Sequence, residues 1–151
     1  MDFRIVIDTR EQQPYGFPCA TVRRKLDAGD YSVDGRESLI AVERKSLADF
    51  VRSVIHDGDR FHAELERLAA LTHACLVVEA DLDDVLRGLW QSDLRTVTPR
   101  AVLGAALQIT IRYRVPVQWC GSRQAARVFT EQFLRMAVRE GAVPRPEVAH
   151  V

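Results

Sequence analysis

The chain reads as an α/β protein: a mixed sheet covered by helices on both faces. Three observations predict this. Strand-like patterns crowd the first 45 residues, amphipathic helical spacing begins at Leu47, and two further apolar strand segments are interleaved with the later helices. With 151 residues the chain has room for one domain with a sizeable core.

Phe3, Ile5 and Ile7 alternate with Arg4, Val6 and Asp8, a period of two that predicts a first strand delivering Asp8 near its end. Pro14, Gly16 and Pro18 predict a loop over residues 12–18, with Arg10 and Glu11 at its edge. A short piece over residues 21–25 follows without a clear period. Then Asp30-Tyr31-Ser32-Val33, the turn pair Asp34-Gly35 and an apolar run from Leu39 predict a hairpin. Leu47, Phe50, Val51, Val54 and Ile55 recur at i, i+3, i+4, i+7 and i+8 behind Ser46, a helix with its N-cap.

Residues 56–59 break that helix, Phe61, Leu65 and Leu68 define a second, and residues 75–78 form an apolar run suited to a buried strand. Leu82, Val85, Leu86 and Leu89 predict a short helix. Thr98-Pro99 supplies a cap and an N1 proline for a longer one containing Val102, Leu103, Ala106 and Leu107. Residues 115–119 read as a strand. Ser122 caps a last helix, with Ala125, Ala126, Phe129, Phe133 and Met136 as its apolar positions, and Gly141 ends it at C′. One domain is expected over residues 1–141, with 142–151, which hold Pro144 and Pro146, as a flexible tail.

Composition excludes more than it selects. At 47% hydrophobic and 28% charged residues the chain is neither disordered nor fibrous in character. Lys+Arg and Asp+Glu are equal at 21 each, so any basic surface must be local. Cys19, Cys75 and Cys120 are odd in number and far apart, which fits no disulfide framework or zinc knuckle and points to a reducing cytoplasm. No run approaches the roughly 18 apolar residues of a membrane span, and no basic leader follows Met1, so no membrane association is expected.

The informative segment runs from Gly29 to Asp49. Strand side chains at i and i+2 share a face, so Glu43 and Lys45 point one way and Arg44 the other, with Asp30 on the preceding strand. Two carboxylates and an amine can converge there. Phosphodiester hydrolysis calls for a hard divalent cation on oxygen ligands, and for a lysine able to hold water or offset developing charge. A bare E-x-K is more often three solvated charges ending a strand; a family resemblance reverses those odds.

Gly29-Asp30, twelve intervening residues, then Glu43-Arg44-Lys45 and Asp49 resemble the G-D-(x)n-E-R-K-x-x-x-D signature of the XPF family of structure-specific nucleases. Asp8-Thr9-Arg10-Glu11 is similar to that family's D-x-R-E segment. Arg60 with Glu66-Arg67-Leu68, Leu76-Val77-Val78-Glu79 and Arg114-Val115-Pro116-Val117 resemble its later elements, so the likeness covers nearly the whole chain. The resemblance implies a restriction-endonuclease-like fold and a magnesium- or manganese-dependent DNA endonuclease acting at branched, flap or fork structures. It implies Asp30, Glu43 and Asp8 as metal ligands, Lys45 as the catalytic lysine, Glu11 as a further member of the acidic cluster, and Arg10, Arg44 and Arg60 as DNA contacts. Arg10 and Arg44 would grip phosphate or orient carboxylates, tasks that suit a planar guanidinium.

Several features stand beside the carry-over. Ser46-x-x-Asp49 also has capping-box spacing, which favours a structural role for Asp49. His56, Asp57, Asp59 and His62 read as a polar turn before a metal site, and Trp90 and Trp119 as core or interface before base-stacking platforms. Glu64 stands where the family commonly has glutamine, and no helix-hairpin-helix pair follows the nuclease-like segment. A homodimer through the late helices, or an accessory DNA-binding protein, is the expected partner besides DNA. The alternative reading is a non-catalytic DNA-binding subunit on the same fold.

Overall fold

The computed structural model describes residues 3–90 and 96–141. The expected tail at 142–151 lies outside them. Six strands, β1 (Arg4–Ile7), β2 (Ala20–Arg23), β3 (Tyr31–Val33), β4 (Ile40–Lys45), β5 (His73–Val78) and β6 (Val117–Trp119), form one mixed sheet in the order β2-β1-β3-β4-β5-β6. β1 pairs parallel with β2 and antiparallel with β3, β3 is antiparallel to β4, and β4, β5 and β6 run parallel. The unassigned piece at 21–25 is thus mostly β2, an edge strand with exposed Ala20, Thr21 and Arg23, too solvated to carry an apolar period.

The helices are α1 (Leu47–Ile55), α2 (Gly58–Ala69), α3 (Leu82–Leu86), α4 (Pro99–Gln108) and α5 (Arg123–Glu140). Ser46, Thr98 and Ser122 cap α1, α4 and α5, each accepting a hydrogen bond from the backbone N–H three residues on, as their spacing predicts. The break between α1 and α2 is shorter than expected: α2 already begins at Gly58, so Asp59 and His62 lie on the helix. Among the described residues no helix is long and apolar enough to cross a membrane.

The sheet divides two cores by strand parity. Ala41, Ala74, Leu76 and Val78 pack with α1, α2 and α4 through Phe50, Phe61, Leu65, Leu68, Val102 and Ala106. Ile40, Val42, Cys75 and Val77 face the other way, toward Ala126, Leu134 and Ala137 of α5. Trp90 and Trp119 pack against the first core, Trp119 edge-on to Phe50. Burying β5 on both faces explains its unbroken apolar run.

Two expected faces differ. The buried stripe of α5 is Ala126, Thr130, Leu134 and Ala137, and Met136 is 51% exposed. A threonine in the stripe and methionine outside it displaced the apparent face by one residue. Leu107 is likewise 52% exposed: the buried stripe of α4 is Val102 and Ala106, continued at Ile109, where a π-helical turn (Ile109–Tyr113) begins that ends at Arg114 in the left-handed region.

Gly29 joins the cores to the site. Its φ is +74°, and a Cβ there would lie 2.9 Å from Ala41 Cβ and 3.0 Å from the Val42 carbonyl oxygen. Gly29→Ala should therefore destabilise the protein by roughly 1–3 kcal/mol. Gly104→Ala, in a helix where a Cβ meets nothing within 4 Å, should stabilise it by about 0.5–1 kcal/mol. Urea unfolding of both variants checks this; equal midpoints would contradict the close approach at Gly29.

Candidate active site

Parity on β4 separates the signature residues. Glu43 and Lys45 follow Ala41 onto the α2 side, where Lys45 Nζ lies 5.1 Å from the centroid of the Phe61 ring. Arg44 follows Val42 onto the α5 side. Asp30 is clasped to the same strand: its N–H donates to the Val42 carbonyl at 2.8 Å, and its Oδ2 accepts from the Arg44 N–H at 2.8 Å. The tight backbone at Gly29 is what permits this approach, and it brings the Asp30 carboxyl into hydrogen-bonding contact with that of Glu43.

Two half-buried carboxyls this close cannot both ionise freely. Burial, then the Asp30 charge, raises the Glu43 proton affinity well above the usual carboxylate range, and Lys45 only partly opposes this. Asp30 is also raised, chiefly by burial, against the Arg44 N–H, the Glu43 hydrogen bond and the Lys45 charge. Lys45 thus acts electrostatically on both acids. Glu64 adds a further negative charge near Glu43.

A cavity of about 300 Å³ opens here, lined by Asp8, Arg10, Glu11, Asp30, Glu43 and Arg44, and also by Glu64 and Arg67. Lys45 and Arg60 are not in its wall. Arg60 is exposed on α2, four residues before Glu64 of the cavity wall.

Asp8, expected as a metal ligand, stands in the cavity wall already hydrogen-bonded. Only 3% exposed, it accepts from Arg10 Nε at 2.9 Å and from the Leu26 N–H at 2.8 Å. Burial opposes its charge, but those hydrogen bonds outweigh it and hold its carboxyl below the ordinary range. Its oxygens are committed to anchoring Arg10, which also donates to the Leu26 carbonyl at 2.7 Å. Among the described residues no three of His, Cys, Asp and Glu are grouped to hold a metal ion, the His56 to His62 stretch included. The two carboxyls that the fold brings into contact are those of Asp30 and Glu43. Two hard oxygen donors fit magnesium or manganese, which commonly bind one or two carboxylates and complete their shell with water and substrate phosphate.

Arg44 is 13% exposed at its side chain and orients carboxylates: Nε lies 3.3 Å from Glu79 Oε2 and Nη1 3.8 Å from Glu11 Oε1. Of its two expected roles the structure shows this one. Glu79 went unassigned in the sequence, although it follows a buried apolar run one strand over from Glu43. Its N–H bonds to the Lys45 carbonyl at 2.9 Å, and its carboxyl receives Tyr15 Oη at 2.7 Å and Arg123 Nη1 at 3.4 Å. The signal available was the repeated pattern of an acid directly behind a strand buried on both faces. Ser46 accepts the Asp49 N–H, the Asp49 carboxylate lies 3.6 Å from Arg52, and Asp49 lines a neighbouring cavity with Arg10, Glu11 and Arg44. The serine half of the capping box forms.

Raised carboxyl proton affinities work against the fold as pH rises, since the native state must give up protons it holds more tightly than the unfolded chain does. In a chelator, stability should fall from about pH 4 upward because of Asp30 and Glu43, whereas the Asp8 contribution is lost as pH drops below that range. Glu43→Gln should raise the neutral-pH melting temperature of the metal-free protein and flatten its fall above about pH 4. Thermal melts across pH read this directly; a variant melting lower than wild type at every pH would contradict the pairing.

The ERCC4 domain family model matches residues 7–133, a span that takes in Asp8, Asp30, Glu43, Lys45, Glu79 and Arg123. The solved structure of XPF from Aeropyrum pernix superposes with a TM-score of 0.66 at 20% identity, covering 90% of this chain and 65% of that one. A second, of XPF from Aeropyrum pernix in complex with DNA, gives 0.67 at 20% identity, over 91% of this chain and 66% of the other. At that identity the likeness is one of fold, the restriction-endonuclease-like mixed sheet, and the chain spans slightly less than two thirds of either structure's length. No curated protein matches significantly. With 127 consecutive positions matched out of 151, the chain belongs to the ERCC4 domain family.

Proposed function

We propose that this protein hydrolyses phosphodiester bonds in DNA, with magnesium or manganese held by Asp30 and Glu43, and that its substrates are branched, flap or fork structures. The observation that carries the reading is the Asp30 and Glu43 carboxyl pair, half-buried, in contact and flanked by Lys45 on one face. The cation, when bound, supplies Lewis-acid neutralisation of phosphoryl charge and acidifies water.

The chain's own groups do the rest. Lys45, kept on the α2 side by the Phe61 ring, donates to a water or phosphate oxygen as negative charge develops. The Arg44 N–H fixes the Asp30 oxygen and its guanidinium fixes Glu11, so each acid has one orientation before substrate arrives. Arg10, 64% exposed beyond its bond to Asp8, and Arg67, which lines the cavity, draw phosphate toward a site that is otherwise acidic. Arg60 extends that basic approach along α2. Leu107 and Ile111, 52% and 76% exposed, are the apolar surface on which a second copy or an accessory DNA-binding protein would seat.

The rival reading, a non-catalytic DNA-binding subunit, is disfavoured because both carboxyls and the lysine stand on one face of the fold. Cleavage of labelled single strands, duplexes, flaps and forks in magnesium or manganese separates them. Asp30→Asn and Glu43→Gln should abolish metal-dependent cutting, and Lys45→Met should slow it by about 10²–10⁴-fold in preparations of matched folding. Arg44→Lys should cost roughly 10–100-fold. Branched-DNA binding without cutting, unchanged in Asp30→Asn and Glu43→Gln, would establish the rival.

A further inference from the structure

A second and larger cavity, of about 590 Å³, lies at the far end of the loop that carries Glu11. Tyr15, Phe17, Pro18, Arg123, Gln124 and Arg127 line it. A volume of that size accommodates one nucleotide, and the lining combines what nucleotides bind: flat apolar surface, guanidinium and a side-chain amide.

The arrangement is built. Tyr31 and Tyr15 stack with centroids 5.2 Å apart and planes 11° from parallel. The Arg123 guanidinium carbon lies 4.8 Å from the Tyr15 centroid, so the stack continues as Tyr31, Tyr15, Arg123. Arg123 is pinned by its bonds to the Gln13 carbonyl at 2.6 Å, the Pro14 carbonyl at 3.3 Å and Glu79 at 3.4 Å, yet its side chain is 43% exposed. Phe17 stands edge-on to both tyrosines and is half-buried. A held guanidinium plane is a surface on which a nucleobase stacks. Arg127 adds positive charge, although Glu131 at 3.3 Å partly offsets it, and Gln124 supplies donors and an acceptor.

We infer that this cavity holds an unpaired nucleotide of the DNA strand whose scissile phosphate lies at Asp30 and Glu43, its base against Arg123 and Phe17. The inference rests on the nuclease reading and deepens it. An unpaired strand is favoured because only there is a base face free to enter a single-nucleotide cavity, whereas duplex bases stay stacked within the helix. Continuity with the carboxyl site favours DNA: Gln12 and Gln13 line a further cavity of about 370 Å³ together with Arg10, Glu11 and Arg44. Glu79 joins the two ends, bonded to Tyr15 and Arg123 on one side and to Arg44 on the other.

The test uses the full chain carrying Glu43→Gln, so that DNA is bound and not cut, and reads fluorescence anisotropy with a 12-nucleotide thymidine oligomer and a blunt 12-base-pair duplex. Gln124→Glu, which puts a negative charge in the cavity without touching the bonds of Arg123, should weaken single-strand binding about tenfold. Duplex affinity and melting temperature should stay unchanged in that variant, and Arg127→Gln, which leaves Glu131 its bond to Arg135, should weaken single-strand binding in the same direction. Unaltered single-strand affinity in both variants would overturn the inference, as would equal weakening toward duplex. Competition by thymidine monophosphate as effective as by the oligomer would overturn it in favour of a free-nucleotide site. Metal-dependent cutting by the chain with native Glu43 is measured alongside. If cutting persists while the cavity variants bind normally, the inference alone falls; if the native chain neither binds nor cuts DNA, the nuclease reading falls with it.

Discussion

The approach of Asp30 to Glu43 is the constraint around which the fold is arranged. Bringing two carboxyls together beneath partial burial costs free energy, so other features must hold them there. Gly29 accepts a positive φ and a near-collision with Ala41 and Val42 that no side chain would survive. The Arg44 N–H, one residue beyond Glu43, then captures the Asp30 oxygen. Antiparallel pairing of β3 with β4 sets the register, and the packing of Ile40 and Val42 on one face and Ala41 on the other keeps it. A one-residue slip would send Glu43 to the α5 side and Arg44 to the α2 side.

Alternation on one strand gives the two sides of the sheet different tasks. The α2 side carries the charge to be used in chemistry. The α5 side carries a buried network, Glu11, Arg44, Glu79, Tyr15 and Arg123, in which Tyr15 and Glu79 are held by a 2.7 Å hydrogen bond that, with burial, drives the Tyr15 hydroxyl's pKa far up. Removing one member of such a set strands the others, so the network fixes the loop between Glu11 and Phe17 in one conformation. That loop spans the distance between the two cavities. Rigid placement of the loop is thus a consequence of the same residue, Arg44, that positions Asp30.

Much of this was legible in the sequence, and the reasons differ by element. Parity over residues 40–45 is local and fixed by strand geometry, so the opposite facing of Arg44 and of Glu43 with Lys45 could be read without a structure. The caps at Ser46, Thr98 and Ser122 are equally local. What escaped depends on partners distant in the chain. The bonds of Asp8 to Leu26 and Arg10 arise from a turn that no periodicity announces. Glu79 was given no role because its partners Tyr15, Arg44 and Arg123 are 64, 35 and 44 positions away. The face of α5 was misplaced because Thr130, wholly buried, weighs as polar in any pattern.

The central claim is that Asp30 and Glu43 are a cation site. Calorimetric titration of the chelator-treated protein with manganese, without DNA, tests it most directly. The account predicts binding at one class of site by wild type, abolished in both Asp30→Asn and Glu43→Gln and retained in Asp49→Asn, whose carboxylate pairs with Arg52. Binding that survives both site substitutions, or that is lost with Asp49 instead, would contradict it.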